Sequence, residues 1–267
     1  MGKWFAVTLV LIAMVSAIPI AMHSWGMPEN ISTHGNAIDQ QMRVTLIETG
    51  ALFVIAQLLM ASLVWKFADR KSKLPIRRLP GGARALVIAA ILLVGTEVVA
   101  LGIVSERTWS AVYLTPASRG ALQVEAQAEQ FAYSFRYPGA DGKFGPVHLD
   151  KIDDANQNFF GLDTTADPDS RDDIVTAQLA VPVNREVHLL MHSRDVGHSF
   201  YVPELRIQQD FVPGLDLSIH FTATKTGKYE IVCTQLCGLG HYNMRSYLLV
   251  LPAEEFEEWL KQKAAAQ

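Results

Sequence analysis

CTQLCGLGHYNM, residues 233–244, places two thiols, one imidazole and one thioether in a single short segment. The segment lies between residues 227–233 and 244–251, whose apolar content and neighbouring turn residues predict strands. A second histidine, His198, lies upstream in DVGHSF, residues 195–200, also between two predicted strands. Because the loops at one end of a β-sandwich cluster together, the two segments are predicted to form one site.

The ligand types in this predicted site are soft or borderline, which favours copper over hard cations. A disulfide between Cys233 and Cys237 is one alternative, in an oxidising compartment. Another is that Met244 packs in the core and His241 is an ordinary loop histidine. A mononuclear blue-copper site needs only one cysteine, so the second cysteine allows two bridging thiolates and two copper ions. Such a centre would store electrons rather than hydrolyse a substrate.

The second half of the chain is predicted to be all-β, as a β-sandwich or Greek-key barrel. Apolar and polar residues alternate through residues 121–137, which is the period of a strand with one buried face. Further strands are predicted at residues 174–181, 186–192, 199–202, 217–222, 227–233 and 244–251. Residues 139–173, rich in Asp, Asn and Gly, predict a long acidic surface insertion. PAEE, residues 252–255, opens a short helix with Phe256, Trp259 and Leu260 on one face.

The first half of the chain contains three long apolar runs, at residues 4–22, 44–65 and 85–105. Each approaches or exceeds the roughly 20 residues that span a bilayer as a helix. Buried core helices are a poor alternative, because this half supplies no soluble shell around three of them. Residues 1–22 are predicted to be either a signal peptide or a first transmembrane helix, and residues 43–105 a transmembrane hairpin.

Charge divides the chain and predicts its orientation. Residues 1–105 hold 9 Lys+Arg and 5 Asp+Glu, a balance of +4, whereas residues 106–267 hold 14 and 22, a balance of −8. The basic loop 66–84 is predicted to be cytoplasmic. Residues 23–42 are then a periplasmic connection and residues 106–267 a periplasmic domain. Glu97, inside the third run, is interpreted as a proton-path residue or as a protonated acid paired with a neighbouring helix.

The composition also excludes several classes of protein. A chain with 49% hydrophobic and 19% charged residues is not intrinsically disordered. The acidic polar half argues against nucleic acid as a partner. The sequence contains no Cys-x-x-Cys-His, so no haem is predicted to be attached to this chain.

These motifs resemble those of subunit II of the haem–copper oxidases, the cytochrome c oxidase subunit with a dinuclear CuA centre. The resemblance covers residues 43–267 and is strongest at residues 195–198, 205–214 and 233–244. It implies a cupredoxin-like domain on a membrane anchor, in the bacterial cytoplasmic (inner) membrane. It also implies electron transfer from a periplasmic donor, either cytochrome c or the haem c subunit of a neighbouring complex. The electrons would pass to haem in subunit I, where oxygen is reduced to water, and other oxidase subunits would be partners.

The resemblance also implies a ligand set: two bridging thiolates, one imidazole for each copper, a weak thioether ligand and a backbone carbonyl. In that order the residues are Cys233 and Cys237, His198 and His241, Met244, and Gln235. The family usually has Glu at position 235, where its side chain helps to bind Mg²⁺ at the contact with subunit I. Gln235 brings no charge, so the expectation of a magnesium site is weakened.

A second departure concerns the place where electrons reach the copper. The family's electron-accepting tryptophan aligns with Phe131, and Phe is not a redox-active relay. Phe131, Tyr133 and Asp195 are therefore the candidates for electron uptake or donor docking. Two other functions stay open: the CuA-bearing subunit of a nitric oxide reductase, and a membrane-anchored cupredoxin that delivers copper.

Overall fold

The computed structural model describes residues 2–22, 26–68 and 82–266. The chain divides into two compact units, which are described separately. A helical unit comprises residues 1–27 and 37–108, and a β unit comprises residues 28–36 and 109–267.

The helical unit contains α1 (Gly2–Met22), α2 (Gly35–Phe67) and α3 (Gly82–Trp109). Within the described residues, α2 and the helical stretch Arg84–Leu114 are long and apolar enough to cross a membrane. The apolar part of α1, Gly2–Ile18, is shorter. The prediction of long apolar helices in the first half of the chain is thus confirmed. The transmembrane hairpin, and the choice between a cleaved signal and a retained helix at α1, stay predictions.

Most of the basic residues behind the predicted orientation lie outside the described residues. These are Arg70, Lys71, Lys73, Arg77 and Arg78. Lys66, at the end of α2, and Arg84, near the start of α3, are described.

The β unit is a sandwich of two five-stranded sheets, ordered β3-β2-β1-β5-β8 and β4-β10-β9-β6-β7. The strands are β1 (Leu122–Glu129), β2 (Ala132–Tyr137), β3 (Ile174–Thr176), β4 (Leu179–Pro182), β5 (Glu186–Ser193), β6 (His198–Val202), β7 (Ile207–Phe211), β8 (Leu217–Thr222), β9 (Gly227–Val232) and β10 (Arg245–Leu251). The predicted all-β, cupredoxin-like fold is confirmed. Alternate residues of β5, among them Val187, Leu189 and Met191, are buried in the core between the sheets.

Two details of the strand prediction were wrong. The single strand predicted at residues 174–181 is two strands, β3 and β4, which belong to different sheets. The Thr176 hydroxyl donates to the carbonyl of Gln178 at 2.7 Å, within the short turn where the chain crosses between sheets. Strand β7 was not predicted, because its middle residues are polar and only Ile207 and Phe211 are buried.

Helix α4 (Ala253–Ala265) follows β10 and confirms the predicted amphipathic face. Phe256 is buried, and its ring lies 6.4 Å from the rings of both Trp259 and Tyr137, centroid to centroid. Leu260 packs against the same core. The apolar face of α4 therefore packs on the β unit beside β3, β4 and β10, with Tyr137 of β2 against its aromatic rings.

The acidic segment between β2 and β3 is attached to the sheet by Arg136, which is 1% exposed. The guanidinium forms an ion pair with Asp173 and donates to the Gly145 carbonyl at 2.5 Å. It also lies 2.9 Å from a carboxylate oxygen of Glu125 and 5.8 Å from the ring centroid of Phe160. One buried cation thus binds the two ends of the insertion to the outer face of β1 and β2.

Residues 28–34, which precede α2, are part of the β unit, and so are Gly35 and Asn36 at the start of that helix. Ile31 is fully buried there, and its N–H donates to the Glu204 carbonyl at 2.9 Å. Ser32 forms an antiparallel bridge with Ala223, beyond the end of β8. The backbone of this segment is therefore held in the fold by ladder-type hydrogen bonds.

Candidate metal centre

The predicted ligands come from the ends of three strands of one sheet. His198 is the first residue of β6, Cys233 follows β9, and Met244 precedes β10. Strands β9 and β10 are paired, and the N–H of Cys233 donates to the carbonyl of Met244 at 3.3 Å. Strand β6 pairs with β9 through Tyr201 and Val232, so the three strand ends lie together at one end of this sheet. We call residues 233–244 the ligand loop.

The side chains of these residues converge. The two sulfurs Cys233 Sγ and Cys237 Sγ lie 3.9 Å apart. Cys237 Sγ is also 3.6 Å from His241 Nδ1 and 3.8 Å from Met244 Sδ. His198 Nδ1 approaches Met244 Sδ at 3.2 Å. The structure therefore brings together all five of the predicted side chains.

Gln235 contributes its backbone at the same place. Its carbonyl oxygen lies 3.1 Å from Cys233 Sγ, whereas the residue itself is exposed. The arrangement suits a role for the main-chain oxygen beside the sulfurs.

Burial and chemistry distinguish this cluster from the disulfide alternative. Cys233 and Cys237 are both free and buried, and His198 and Met244 are at most 2% exposed. Burial and the neighbouring Cys233 sulfur raise the pKa of Cys237 to about 11. Among the described residues, one group of three His, Cys, Asp or Glu side chains has all its potential ligand atoms within 4.8 Å of one another. It consists of His198, Cys233 and Cys237. Their atoms are all electron-pair donors, so a cation complements them.

Asp195 fixes the orientation of the His198 ring. His198 Nε2 lies 2.7 Å from Asp195 Oδ1, which leaves Nδ1 facing Met244. Burial opposes ionisation of Asp195, but hydrogen bonds from His198, Val196 and Gln130 outweigh it and lower the pKa of this carboxyl. A carboxylate on the second ring nitrogen is the usual support for an imidazole ligand.

The two aromatic candidates for electron uptake differ in position. Phe131 is 40% exposed, and its ring lies against the ligand loop, where a Cβ on Gly240 would come within 2.5 Å of it. Tyr133 is buried, and its hydroxyl donates to the carbonyl of Ser199 at 2.7 Å. Burial, reinforced by Cys233, raises the pKa of Tyr133. Phe131 thus lies at the surface over the loop, and Tyr133 lies beneath the site.

Sequence reasoning missed one residue that contacts both ligand segments. The backbone N–H of Gln130 donates to Asp195 Oδ2 at 2.8 Å, and its side-chain amide donates to the carbonyl of Cys237 at 2.5 Å. These partners are 65 and 107 residues away along the chain. No local pattern signals such contacts; only its place next to Phe131 in a short turn could have drawn attention to it.

Comparisons with known proteins identify the family of this chain. A family model described as "Cytochrome C oxidase subunit II, periplasmic domain" matches residues 122–250. An alternative cytochrome c oxidase subunit 2 from Bradyrhizobium diazoefficiens is 32% identical over 265 residues, which covers 97% of this chain and 91% of that protein. A cytochrome c oxidase subunit 2 from Cereibacter sphaeroides is 26% identical over 230 residues, covering 81% of this chain and 73% of that protein.

A solved structure is also similar. The crystal structure of the periplasmic domain of cytochrome oxidase subunit II from Bradyrhizobium japonicum shares 26% identity, with a TM-score of 0.42. The match covers 57% of this chain and 99% of the crystallised domain. Full-length similarity at 32% identity, together with the periplasmic-domain match, decides the family. This chain belongs to the cytochrome c oxidase subunit II family.

Proposed function

We propose that this chain is the electron-accepting subunit of a cytochrome c oxidase that uses a dinuclear copper centre, CuA. It takes electrons from a periplasmic donor and passes them to haem in subunit I, where oxygen is reduced to water. The observation that carries the proposal is the convergence of two thiols, two imidazoles and a thioether at one end of the sheet.

The residues fit copper by their chemistry. Thiolates, imidazoles and a thioether are the ligands that copper prefers, and hard cations such as Mg²⁺ prefer oxygen. The residues that would hold copper supply two thiolates, two imidazoles, a thioether and a main-chain oxygen. They are Cys233 and Cys237, His198 and His241, Met244, and Gln235. Gln235 offers no carboxylate, so we include no magnesium site at this residue.

The role of the protein is to fix the positions of these ligands and to exclude water from them. When bound, a pair of copper ions with delocalised valence would supply one-electron redox chemistry at this place. Asp195 keeps the His198 ring in one orientation, and burial of Cys237 and Met244 excludes water from the sulfurs. A rigid ligand set of this kind lowers the reorganisation energy of each electron transfer.

The acidic surface supports a basic donor, either a soluble cytochrome c or the haem c subunit of a neighbouring complex. Residues 106–267 carry a balance of −8. Some acids of the insertion are paired within the chain: Asp154 with Arg194 at 2.7 Å, and Asp163 with Lys151. The unpaired remainder would steer a cationic donor and raise the rate of encounter.

Steering predicts that the rate of electron uptake from a basic cytochrome c falls as salt shortens the Debye length from about 30 Å to about 8 Å. Stopped-flow reduction of the purified oxidase complex at several ionic strengths measures this rate. A rate that does not change with salt would point to a donor bound permanently to the complex.

The family and the two apolar helices support an integral membrane protein with a periplasmic domain. We infer that the membrane is the bacterial cytoplasmic membrane. A reporter enzyme fused after Gln267 should then be active in the periplasm, and one inserted at Ser72 should be active in the cytoplasm. Equal signals at both positions would contradict this orientation.

Metal analysis of the full chain, purified in detergent and loaded with copper, tests the proposal directly. We expect two copper ions per chain and a purple protein. One copper with a blue-copper spectrum would contradict the dinuclear centre, and colourless Cu(I) that exchanges readily would favour copper delivery. Oxygen or nitric oxide consumption by the purified complex separates an oxidase from a nitric oxide reductase.

A further inference from the structure

We propose that Gln130 is a positioning residue of the metal centre, which fixes the ligand loop and the His198 imidazole relative to each other. The inference rests on the proposed copper site. It concerns a residue that donates no ligand atom to the cluster but contacts the segments that do.

Gln130 and Phe131 form the tip of the hairpin between β1 and β2, where Glu129 pairs with Ala132. This hairpin belongs to the sheet β3-β2-β1-β5-β8. The ligands come from the ends of strands in the other sheet. The hairpin tip therefore joins the two layers of the sandwich at the metal centre.

The side chain of Gln130 restrains the ligand loop. Its Nε2 donates to the Cys237 carbonyl at 2.5 Å, and that carbonyl belongs to the peptide bond that leads into Gly238. Gly238 has a φ of +140°, a backbone conformation that side-chain-bearing residues rarely adopt. Glycine gives the loop conformational freedom at this point. The amide hydrogen bond from Gln130 restricts that freedom beside a cysteine ligand.

The backbone of Gln130 restrains the histidine. Its N–H donates to Asp195 Oδ2 at 2.8 Å, while Asp195 Oδ1 lies 2.7 Å from His198 Nε2. Oδ1 also accepts from the Val196 N–H at 2.6 Å, and Oδ2 is the oxygen that the hairpin tip holds. The plane of the His198 ring is fixed by a carboxylate that is itself fixed by the hairpin tip.

Phe131 adds a packing contact at the same tip. A Cβ on Gly238 would lie 3.1 Å from its ring, and one on Gly240 would lie closer still. The ring therefore rests directly on the backbone of the ligand loop. Hydrogen bonds to both ligand segments and a ring on the loop backbone make the tip a single clamp.

The test removes only the side-chain hydrogen bond. Gln130→Met keeps a similar length without an amide donor, and Gln130→Glu keeps the shape but replaces the donor with a carboxylate. Both leave the backbone N–H bond to Asp195 in place. Gln262→Met, on the exposed surface of α4, is the matched control. All variants are full chains in detergent.

The first readout is amide hydrogen exchange of the copper-free, reduced protein, followed by mass spectrometry of the peptide that contains the ligand loop. Loss of one net hydrogen bond predicts exchange about 5-fold faster in this peptide, and unchanged exchange in β5 and β8. The second readout, on copper-loaded protein, is release to a Cu(I) chelator, about 10-fold faster in the variants. A shift of the thiolate-to-copper absorption band should accompany it, with two coppers still bound.

Wild-type exchange in the ligand loop of both variants would overturn the role of Gln130. Acceleration spread over the whole β unit would also overturn it, since that is the mark of general destabilisation. If one variant fails to fold, the other still decides. If wild-type protein binds fewer than two coppers, the proposed function fails, and the copper-free exchange experiment still judges the clamp.

Discussion

Two buried polar clusters of the β unit differ in one respect that decides what each can do. Around Arg136, a cation meets the carboxylates of Asp173 and Glu125, so opposite charges lie together. Around Cys233 and Cys237, two thiols, two imidazoles, a thioether and a main-chain oxygen lie together, and each of these groups can donate an electron pair to a metal ion. The first cluster has its charges matched within the chain, whereas the second would be complemented by a soft cation. Burial of polar groups thus serves structure at one place and, in the proposed function, metal binding at the other.

The largest expected effect comes from Cys233→Ser. A hydroxyl is a poor ligand for copper, so the variant should lose the dinuclear centre and its visible absorption completely. The copper-free protein should unfold at the wild-type temperature, because the Arg136 cluster is untouched. Copper analysis, absorption and thermal unfolding of the full chain measure these outcomes. Two bound coppers with an unchanged spectrum would refute the assignment of this ligand.

Arg136→Met should have the opposite effect to Cys233→Ser: it should lower the stability of the fold rather than remove the copper. It leaves the buried carboxylate of Asp173 without its cation and should lower the free energy of unfolding by about 3–5 kcal/mol. The control is Arg245→Met, which breaks an ion pair with Glu230 whose two side chains are each 56% exposed. That loss should be at most about 1 kcal/mol. Denaturant unfolding in detergent measures the free energy of unfolding of both variants. Equal decreases would contradict the proposed difference between the buried and the exposed ion pair.

A pair of methionines sharpens the comparison at constant chemistry. Met244→Leu and Met191→Leu both replace a buried thioether, one at the metal centre and one in β5. Each should cost less than about 1.5 kcal/mol of stability. Only Met244→Leu should shift the reduction potential and spectrum of the bound copper, and two coppers should remain. A shift of similar size in both variants would mean that Met244 acts through packing alone.

The smallest effect is a pH dependence at the edge of the Arg136 cluster. Hydrogen bonding to Glu125, with the charges of Glu125 and Asp216, raises the pKa of His192 above 6.5. Protonated His192 therefore stabilises the fold fully below the unfolded pKa of 6.5, and this contribution is lost as pH rises through the higher folded pKa. It should amount to less than about 1 kcal/mol, because the side chain is partly exposed.

Thermal unfolding of wild type and His192→Asn between pH 6 and 9 measures this contribution. The two proteins should differ most at the acidic end and approach each other at the alkaline end. Parallel curves across this range would exclude His192 as the source of the pH dependence.

Prediction from sequence succeeded where the signal was local. Strands β5 and β8 alternate buried residues with less buried ones, and four of the five converging side chains lie in one loop, so spacing alone brings them close. It failed at β3 and β4, because an apolar run does not reveal that the chain changes sheet between them. It also missed β7, whose polar middle resembles a loop.

The sequence by itself determined the long apolar helices, the β class of the second half and the chemical types of the proposed metal ligands, because periodicity and ligand type are properties of neighbouring residues. The tertiary structure alone decided which residues support those ligands. Gln130 reaches Cys237 across 107 positions of the chain, and Arg136 reaches Asp173 across 37. Such contacts depend on how the two sheets pack and on the lengths of the loops that join the strands. No local sequence pattern encodes either property. The ligands can therefore be read from the sequence, whereas the residues that hold them in place have to be seen in the fold.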